Sequence, residues 1–249
     1  MLRIENISKS FDGLQAVQGV TLSIKAGRIT SLIGPNGAGK TTLFNIITGF
    51  LNADQGLAEF KNRSLINLTP WSICRLGVTR TFQNLRLFKK LTVLDNVLLG
   101  IKGNRGEQFL YALLRFRHRS IEHTSNIRRA EELIDFVGLS DHWNDLVDNL
   151  SYGQQKLLSI ACCLAGDPEL LLLDEPVSGV QPEMIKKIEG LIKELVQKQK
   201  KTVFLIEHDI DFVLRISDTV VVMDDGKKIV EDRPESIRNN FAILEAYLS

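Results

Sequence analysis

Apolar residues in the N-terminal part of the chain follow the patterns of short strands. Residues 2–7 and 20–24 alternate apolar and polar side chains, which predicts half-buried strands. The segment "ITSLI" at 29–33 is continuously apolar and is followed by glycine, which favours a buried strand. Further strands are predicted at 56–60 and 78–82, and a helix, "GKTTLFNIITGF", follows "ITSLI" after the five residues "GPNGA".

The pattern then becomes helical and later returns to alternation. From about 91 to 138, "LTVLDNVLLGI", "EQFLYALLRFRHR" and "NIRRAEELIDFVG" all predict helices, and no strand is evident. After residue 150 a helix is predicted at about 152–165, followed by the strand "ELLLLD" and a helix that begins at Pro182. The strands "TVFLIE" and "TVVVMDDG" follow, with a short helix between them.

The helix that begins at Pro182 has a single apolar face, and proline suits the first helical position. That face is formed by Met184, Ile185, Ile188, Leu191, Ile192, Leu195 and Val196. Such helices, alternating with strands, predict an α/β fold with a mainly parallel sheet covered on both faces. The helical block would interrupt this sheet between its two halves.

Composition and charge are those of an ordinary globular protein. The chain has 249 residues, of which 44% are hydrophobic and 24% charged, and its net charge is +1. No global field therefore attracts it to nucleic acid or to an anionic membrane. The longest apolar run, near "LLSIACCLAG", is about half the length of a transmembrane helix, and "MLRIENISKSF" lacks the apolar stretch of a signal peptide. With three cysteines that suit a reducing compartment, we expect a cytoplasmic protein.

The segment "GPNGAGKT" matches the phosphate-binding pattern G-x-x-x-x-G-K-[ST] in full. It leaves an apolar strand and opens a helix, which is the context that this chemistry needs. Glycines let successive N–H groups turn inward around an anion, and the helix N-terminus adds positive potential. Lys40 would reach the β- and γ-phosphates, and the Thr41 hydroxyl would bind Mg²⁺. The predicted nucleotide-binding residues are Gly34, Pro35, Asn36, Gly37, Ala38, Gly39, Lys40, Thr41 and Thr42.

Polar side chains follow three further predicted strands. Asp174 and Glu175 end "LLLLDE", His208 follows "TVFLIE", and Gln83 follows "VTRTF". Ligands and catalytic groups of open α/β sheets collect at the carboxyl ends of strands. Because neighbouring residues of a strand point to opposite sides, Asp174 would hold Mg²⁺ while Glu175 orients or deprotonates the attacking water. His208 would donate a hydrogen bond to the γ-phosphate, and Gln83 would contact Mg²⁺ or water.

Taken together, these motifs resemble the nucleotide-binding subunits of ATP-binding cassette (ABC) transporters along the whole chain. "GPNGAGKT" resembles the Walker A loop, "FQN" the Q-loop, "LSYGQ" the signature motif and "LLLLDE" Walker B. "SGVQ" resembles the D-loop, although Gln181 stands where the family usually carries aspartate. "EHD" resembles the segment of the switch histidine, and Phe11 matches the aromatic residue that stacks on adenine. Packing of Phe11 on the sheet is an alternative that the sequence leaves open.

The resemblance implies a mainly parallel P-loop NTPase core sheet with an antiparallel N-terminal β part and an inserted helical subdomain. The whole chain, 1–249, would form a single ABC ATPase domain. Its core would comprise about 1–88 and 156–249, and the helical subdomain about 89–155 would carry the signature motif.

The signature motif supports a local and a functional interpretation. Ser151 and Gln154 fit the capping box S-x-x-Q at the start of a helix, a feature worth about 1 kcal/mol. In the resembled family the motif instead faces the phosphate loop of a second subunit, so that ATP is sandwiched between two chains. Ser151, Gly153 and Gln154 would then act on the ATP of the partner. Tyr152, where many family members have glycine, should turn its side chain away from the phosphate.

Within the family, "RTFQNLRLFKKLTVLDNV", "NLSYGQQ" and "PESIRNNFAILEAYL" resemble the ATPases of branched-chain amino acid importers. ATPases of urea uptake and lipopolysaccharide export share much of this and are alternative assignments, and a soluble, non-transport ABC ATPase is a further alternative. The resemblance implies ATP and Mg²⁺ as ligands and a second ABC subunit, identical or related, as partner. It also implies integral membrane permease subunits, a substrate-binding protein and no nucleic acid. We therefore expect a peripheral position on the cytoplasmic face of the inner membrane.

The permease subunits would dock beside the Q-loop. Leu85, Leu87 and Phe88 offer apolar contacts there, and their burial in the core of the helical subdomain is an equally open alternative.

Overall fold

The computed structural model of the chain describes residues 1–83, 85–101 and 116–239, the last range with side chains from Thr124 onward. Contacts between Cα atoms divide these residues into two compact units. The core unit comprises 1–83, 169–178 and 182–239, and the helical unit comprises the described part of 84–168 together with 179–181.

The core unit contains a four-stranded antiparallel sheet at its N-terminal side. Its strand order is β2-β1-β4-β5. The strands are β1 Leu2–Phe11, β2 Leu14–Ile24, β4 Gln55–Phe60 and β5 Arg63–Ser64. Strands β1 and β2 are longer than the pattern predicted, because Asp12 and Gly13 close them into a hairpin with positive φ angles of 47° and 88°.

The second sheet of the core unit has six strands in the order β10-β9-β3-β8-β7-β6. The strands are β3 Ile29–Ile33, β6 Val78–Arg80, β7 Leu170–Asp174, β8 Thr202–Ile206, β9 Thr219–Asp224 and β10 Lys227–Asp232. Neighbouring strands are parallel except for β10, which pairs with β9 in the antiparallel sense. Every residue of β3, β7 and β8 is buried, as expected for strands covered on both faces. The predicted α/β fold class is therefore confirmed.

Helices cover the parallel sheet of the core unit. They are α1 Lys40–Ile47, α2 Pro70–Leu76, α6 Pro182–Gln197, α7 Ile210–Ile216 and α8 Pro234–Arg238. The predicted apolar face of α6 is buried from Ile188 to Val196, whereas Met184 and Ile185 near its start are only half-buried. Phe44 of α1 packs against Phe204 of β8, with ring centroids 4.9 Å apart, within the apolar core.

The helical unit contains α3 Val93–Gly100, α4 Phe116–Phe136 and α5 Tyr152–Ala165. Helix α5 has the predicted bounds and packs on α3 and α4 through its apolar face. The predicted C-terminal boundary of the helical subdomain, at about 155, falls inside α5. A helix with one apolar face is expected to belong to one subdomain along its whole length. The boundary of the helical subdomain stays a prediction. Most of the predicted helix "EQFLYALLRFRHR" and the end of "PESIRNNFAILEAYL" lie outside the described residues.

Within the described ranges, no helix combines the length and apolar character that crossing a membrane requires.

Candidate functional site

The phosphate loop connects β3 to α1, as the sequence predicts. Gly39 precedes α1 in a left-handed conformation, with φ 91°, and no side chain caps the helix. The first turn of α1 also contains no acidic residue. The N–H groups at this helix start are therefore not engaged by a capping side chain, and their partial positive charge favours an anion.

Neighbouring backbone fixes the loop from two sides. A Cβ atom on Gly34 would overlap the carbonyl oxygen of Met223 in β9, and one on Gly39 would overlap that of Ala16 in β2. Gly37, with φ 85°, has no such neighbour within 4 Å. The glycines at both ends of the loop are thus required by close backbone approach, and the middle of the loop stays open.

Lys40 is 6% exposed and folds back over the loop. Its Nζ atom donates hydrogen bonds to the carbonyl oxygens of Gly34, at 2.6 Å, and Pro35, at 2.8 Å. Burial lowers the pKa of Lys40, while the carboxylates of Glu175 and Asp174 oppose this shift. The ammonium group therefore lies in the electrostatic field of the predicted catalytic carboxylate, Glu175, and of the predicted metal ligand, Asp174.

Asp174 and Glu175 contact different partners at the end of β7. The Asp174 carboxylate pairs with Arg80 at 2.6 Å, and both side chains are 4% exposed. Glu175 has left the strand with φ 49°, a left-handed conformation that is strained for a residue with a Cβ atom. The two carboxylates therefore point in different directions. The turn of the chain at Glu175 causes this difference, and not the side-chain alternation of an extended strand.

Three predicted catalytic side chains meet at Glu175. Gln83 donates from Nε2 to Oε2 of Glu175 at 2.9 Å. His208 Nε2 lies 3.2 Å from Oε1 of the same carboxylate. A carboxylate held by an amide and an imidazole is oriented for general-base chemistry on a water molecule.

Glu207 supports the histidine from inside the core unit. It is 1% exposed, and its carboxylate accepts hydrogen bonds from the backbone N–H groups of Val177, at 2.8 Å, and His208, at 3.0 Å. Burial raises the pKa of Glu207, and these backbone donors oppose the shift. Glu207 thereby connects the turn after Walker B to the start of the His208 segment.

Phe11 lies at the end of β1 and is 41% exposed. It pairs with Leu14 across the hairpin, and β2 then passes the phosphate loop at Ala16. The Nζ atom of Lys9 lies 5.5 Å from the centroid of the Phe11 ring. The ring is therefore only partly covered, so one face remains able to stack on a base, and that role stays a prediction.

The signature residues belong to the helical unit, unlike the phosphate loop. Ser151 is the N-cap of α5 and forms the predicted capping box with Gln154, which is thereby confirmed. The Ser151 N–H donates to Oε1 of Gln154 at 2.8 Å, and the Gln154 N–H donates to Oγ of Ser151 at 3.3 Å. The Tyr152 ring lies against Lys156 and beside Gly179 of the D-loop.

A chain of hydrogen bonds extends this capping box. Because Oε1 of Gln154 accepts from Ser151, its Nε2 must donate to His142 Nε2, which lies 2.8 Å away. His142 then carries its proton on Nδ1, 2.7 Å from Oδ2 of Asp145. The orientation of the signature glutamine is therefore set from outside the motif.

Arg80, Glu207 and His142 were not predicted from sequence as parts of these arrangements. Arg80 and Glu207 each stand next to a strand end that carries a predicted site residue, and this position is the signal that could have found them. His142 offers no such signal, because its partner Gln154 is reached only through the fold.

The residues present fit MgATP. The open loop middle, the uncapped start of α1 and buried Lys40 suit a polyphosphate. Asp174 supplies a carboxylate, and Thr41, an exposed residue in the first turn of α1, supplies a hydroxyl; Mg²⁺ takes ligands of this kind beside phosphates.

This fold and site define a P-loop nucleotide-binding domain. The family model described as "ABC transporter" matches residues 17–178. The chain therefore belongs to the ABC transporter family, whose ATP-binding cassettes are ATPases.

Individual relatives match over the whole chain. It is 39% identical over 248 residues to the high-affinity branched-chain amino acid transport ATP-binding protein LivG of Salmonella typhimurium, covering 100% of this chain and 97% of that protein. It is 38% identical, with the same coverage, to the corresponding protein BraF of Pseudomonas aeruginosa.

Solved structures of ABC cassettes also match this chain over all or nearly all of its length. A nucleotide-free ATP-binding cassette from an ABC transporter superposes with a TM-score of 0.87 at 36% identity, covering 100% of this chain and 99% of that one. A dimeric cassette in a post-hydrolysis state, bound to ADP and phosphate, gives 0.80 at 28% identity, covering 94% and 99%. The resemblance stated from sequence is thus confirmed.

Proposed function

We propose that this ABC ATPase binds and hydrolyses ATP to drive import of branched-chain or other amino acids through a membrane permease. The meeting of Gln83 and His208 on the carboxylate of Glu175 carries the proposal for hydrolysis. Full-length similarity to branched-chain amino acid transport ATP-binding proteins supports the amino acid as transported substrate.

The phosphate loop binds the triphosphate of ATP. Backbone N–H groups from Gly34 to Thr42 surround the phosphates, and Lys40 exchanges its bonds to loop carbonyls for bonds to the β- and γ-phosphates. Phe11 stacks on adenine, a contact worth roughly 1–3 kcal/mol for a base on an aromatic ring.

Glu175 orients and deprotonates the attacking water for in-line displacement at the γ-phosphate. Gln83 and His208 hold its carboxylate in place, and His208 also donates to the phosphate as charge develops. Thr41, Gln83 and Asp174 would hold Mg²⁺, which neutralises phosphate charge when bound.

A second ABC subunit completes the site. Ser151, Gly153 and Gln154 present the start of α5 to the ATP of the partner. The capping box engages the N–H groups of Ser151 and Gln154, and the partial positive charge of the helix start attracts the phosphates. A related cassette forms a dimer in its post-hydrolysis state, which supports the proposed pairing. Hydrolysis followed by release of the cleaved γ-phosphate then removes the group that holds the two chains together.

The permease subunits bind beside the Q-loop, on the cytoplasmic face of the membrane, and receive substrate from a substrate-binding protein. Phe88 is 60% exposed there, while Leu85 and Leu87 are half-buried. An exposed phenylalanine with half-buried leucines suits an apolar contact with a partner protein.

Replacement of Glu175 by glutamine tests this proposal. Glutamine has nearly the same shape but cannot take a proton, so we expect ATP binding to persist while turnover falls by about 10²–10⁴-fold. ATP should then hold the chains as a stable dimer, visible by light scattering. Steady-state ATPase assays and ATP titrations give the two quantities.

Glu194→Gln is a matched control, because the Glu194 side chain forms an exposed ion pair with Lys198 at 3.0 Å. It should leave ATP binding, turnover and dimerisation unchanged. A Glu175→Gln variant that remains monomeric and fully active would contradict the proposed function.

A further inference from the structure

Arg80 forms a buried junction between three elements of the core unit. It ends β6, and its Nη2 atom donates to Oδ2 of Asp174 in β7 at 2.6 Å. Its Nη1 atom donates to Oδ1 of Asn45 in α1 at 2.6 Å and lies 3.4 Å from Oγ1 of Thr48. The guanidinium therefore joins the Walker B carboxylate to the helix that follows the phosphate loop.

Aromatic rings hold the guanidinium in this position. The Phe44 and Phe82 ring centroids lie 5.4 and 5.2 Å from its central carbon, within the range of cation–π attraction. Phe82 in turn packs edge-on against Phe50. A planar cation confined by aromatic rings and bonded through both terminal nitrogens has little freedom to move.

This arrangement bears directly on Asp174. A buried carboxylate is costly unless a cation and hydrogen bonds compensate it, and Arg80 supplies both at Oδ2. The Asp174 backbone N–H is also fixed, by Oγ1 of Thr81 at 3.0 Å. The direction of the Asp174 side chain is therefore imposed from β6.

A contribution to the stability of the fold does not explain why an arginine occupies position 80. Its Nε atom is buried and has no hydrogen-bond partner among the residues that the structure describes. A buried donor without a partner is unfavourable, and a buried ion pair adds little net stability compared with an apolar pair. A role in the site accounts for a cation at this position better than packing does.

We infer that Arg80 is a positioning residue for Mg²⁺: it holds Asp174 in the orientation that binds the metal, through the Arg80–Asp174 ion pair. This inference rests on the proposed function, in which Asp174 holds Mg²⁺ beside the phosphates of ATP. Groups that orient a metal ligand in this way typically change metal affinity by about 10–100-fold when they are replaced.

The test is a Mg²⁺ titration of ATP binding, followed by the fluorescence of a labelled ATP analogue rather than by turnover. In Arg80→Met we expect the Mg²⁺ concentration at half-saturation to rise by about 10–100-fold, with ATP binding in EDTA unchanged. Circular dichroism and thermal melting confirm that the variant is folded. A folded Arg80→Met variant with the wild-type Mg²⁺ dependence would overturn the inference.

Asn45→Ala is the matched control. It removes the 2.6 Å bond that Nη1 of Arg80 donates to Asn45 but leaves the ion pair with Asp174 intact. We expect a lower melting temperature and an unchanged Mg²⁺ dependence. If Asn45→Ala shifts the Mg²⁺ titration as strongly as Arg80→Met does, Arg80 acts through general packing and the inference fails.

Arg80→Lys covers the case in which Arg80→Met does not fold. Lysine restores a cation without the forked geometry, so its shift should be smaller than that of Arg80→Met yet larger than that of Asn45→Ala. A shift equal to that of Asn45→Ala would overturn the inference.

Combining these changes with Asp174→Asn shows whether a failed test concerns the role of Arg80 alone or the proposed function as well. If Arg80 acts through Asp174, adding Arg80→Met or Arg80→Lys to Asp174→Asn should shift the Mg²⁺ titration no further. Additive shifts would overturn the role of Arg80 but leave the proposed function standing. If ATP binding by the wild-type protein does not depend on the Mg²⁺ concentration, both the role of Arg80 and the proposed role of Asp174 are overturned.

Discussion

At the scale of single residues, the glycines of the phosphate loop differ in why they are needed. Gly37 and Gly39 both have positive φ angles, 85° and 91°, but only at Gly39 would a Cβ atom overlap backbone, the carbonyl oxygen of Ala16. Alanine at either position should cost about 1–2 kcal/mol for the left-handed conformation. At Gly39 the overlap should add about 1–3 kcal/mol, because β2 would have to move.

Urea denaturation of Gly37→Ala and Gly39→Ala without nucleotide measures this difference directly. Gly37→Ala is the matched control, since it shares the strain but lacks the overlap. We expect Gly39→Ala to have the lower free energy of unfolding and also to lose ATP binding. Equal stability of the two variants would show that β2 does not constrain the loop.

Residues differed in how far their roles could be predicted from sequence. The phosphate loop was found because its chemistry lies within eight consecutive residues, "GPNGAGKT". Gln83, Glu175 and His208 were placed at the carboxyl ends of strands from sequence, where ligands of open α/β sheets collect, but their contacts with one another were not predicted. The pairing of Asp174 with Arg80 was not predicted, since nothing in local sequence shows which side chain on a neighbouring strand will reach a carboxylate.

At the scale of elements, periodicity predicted buried helices and strands better than exposed ones. Helix α5 has its predicted bounds because a capping box starts it and one apolar face continues through it. Strand β10 was missed because it is an edge strand with no fully buried residue, so its pattern carries little signal. The short helix α2 was also missed, although Thr69 caps it and Pro70 occupies its first turn.

The start of α5 gives a prediction that separates capping from catalysis. Aspartate caps helices about as well as serine, so Ser151→Asp should keep the stability of α5. Its negative charge would face the phosphates of the partner's ATP, and we expect ATPase activity to fall by at least the roughly 10²–10³ of a lost transition-state donor.

Ser151→Ala provides the opposite control, because it removes the cap, worth about 1 kcal/mol, without adding charge. Thermal melting should therefore rank Ser151→Ala below Ser151→Asp, and ATPase assays should reverse that order. If Ser151→Asp retains wild-type activity, the signature motif of this chain is a helix cap and nothing more.

At the scale of the whole molecule, the two units hold complementary parts of the proposed site. The core unit carries Lys40 and Glu175, and the helical unit carries Ser151. In the proposed dimer, each ATP contacts the core unit of one chain and the signature motif of the other. Defects in these two parts should therefore complement each other when they lie on different chains.

Mixing Lys40→Met with Ser151→Asp tests this arrangement. Each variant alone should be inactive, because both sites of its dimer carry a defect. In a mixed dimer one site carries both defects, and the other combines an intact Lys40 with an intact Ser151. An equal mixture that pairs at random should recover up to about one quarter of the wild-type sites. If the signature motif acted on the ATP of its own chain, no pairing would produce an intact site, and ATPase assays of the mixture would show no recovery. If the partner is a related chain instead, recovery would appear only when that chain supplies the missing half.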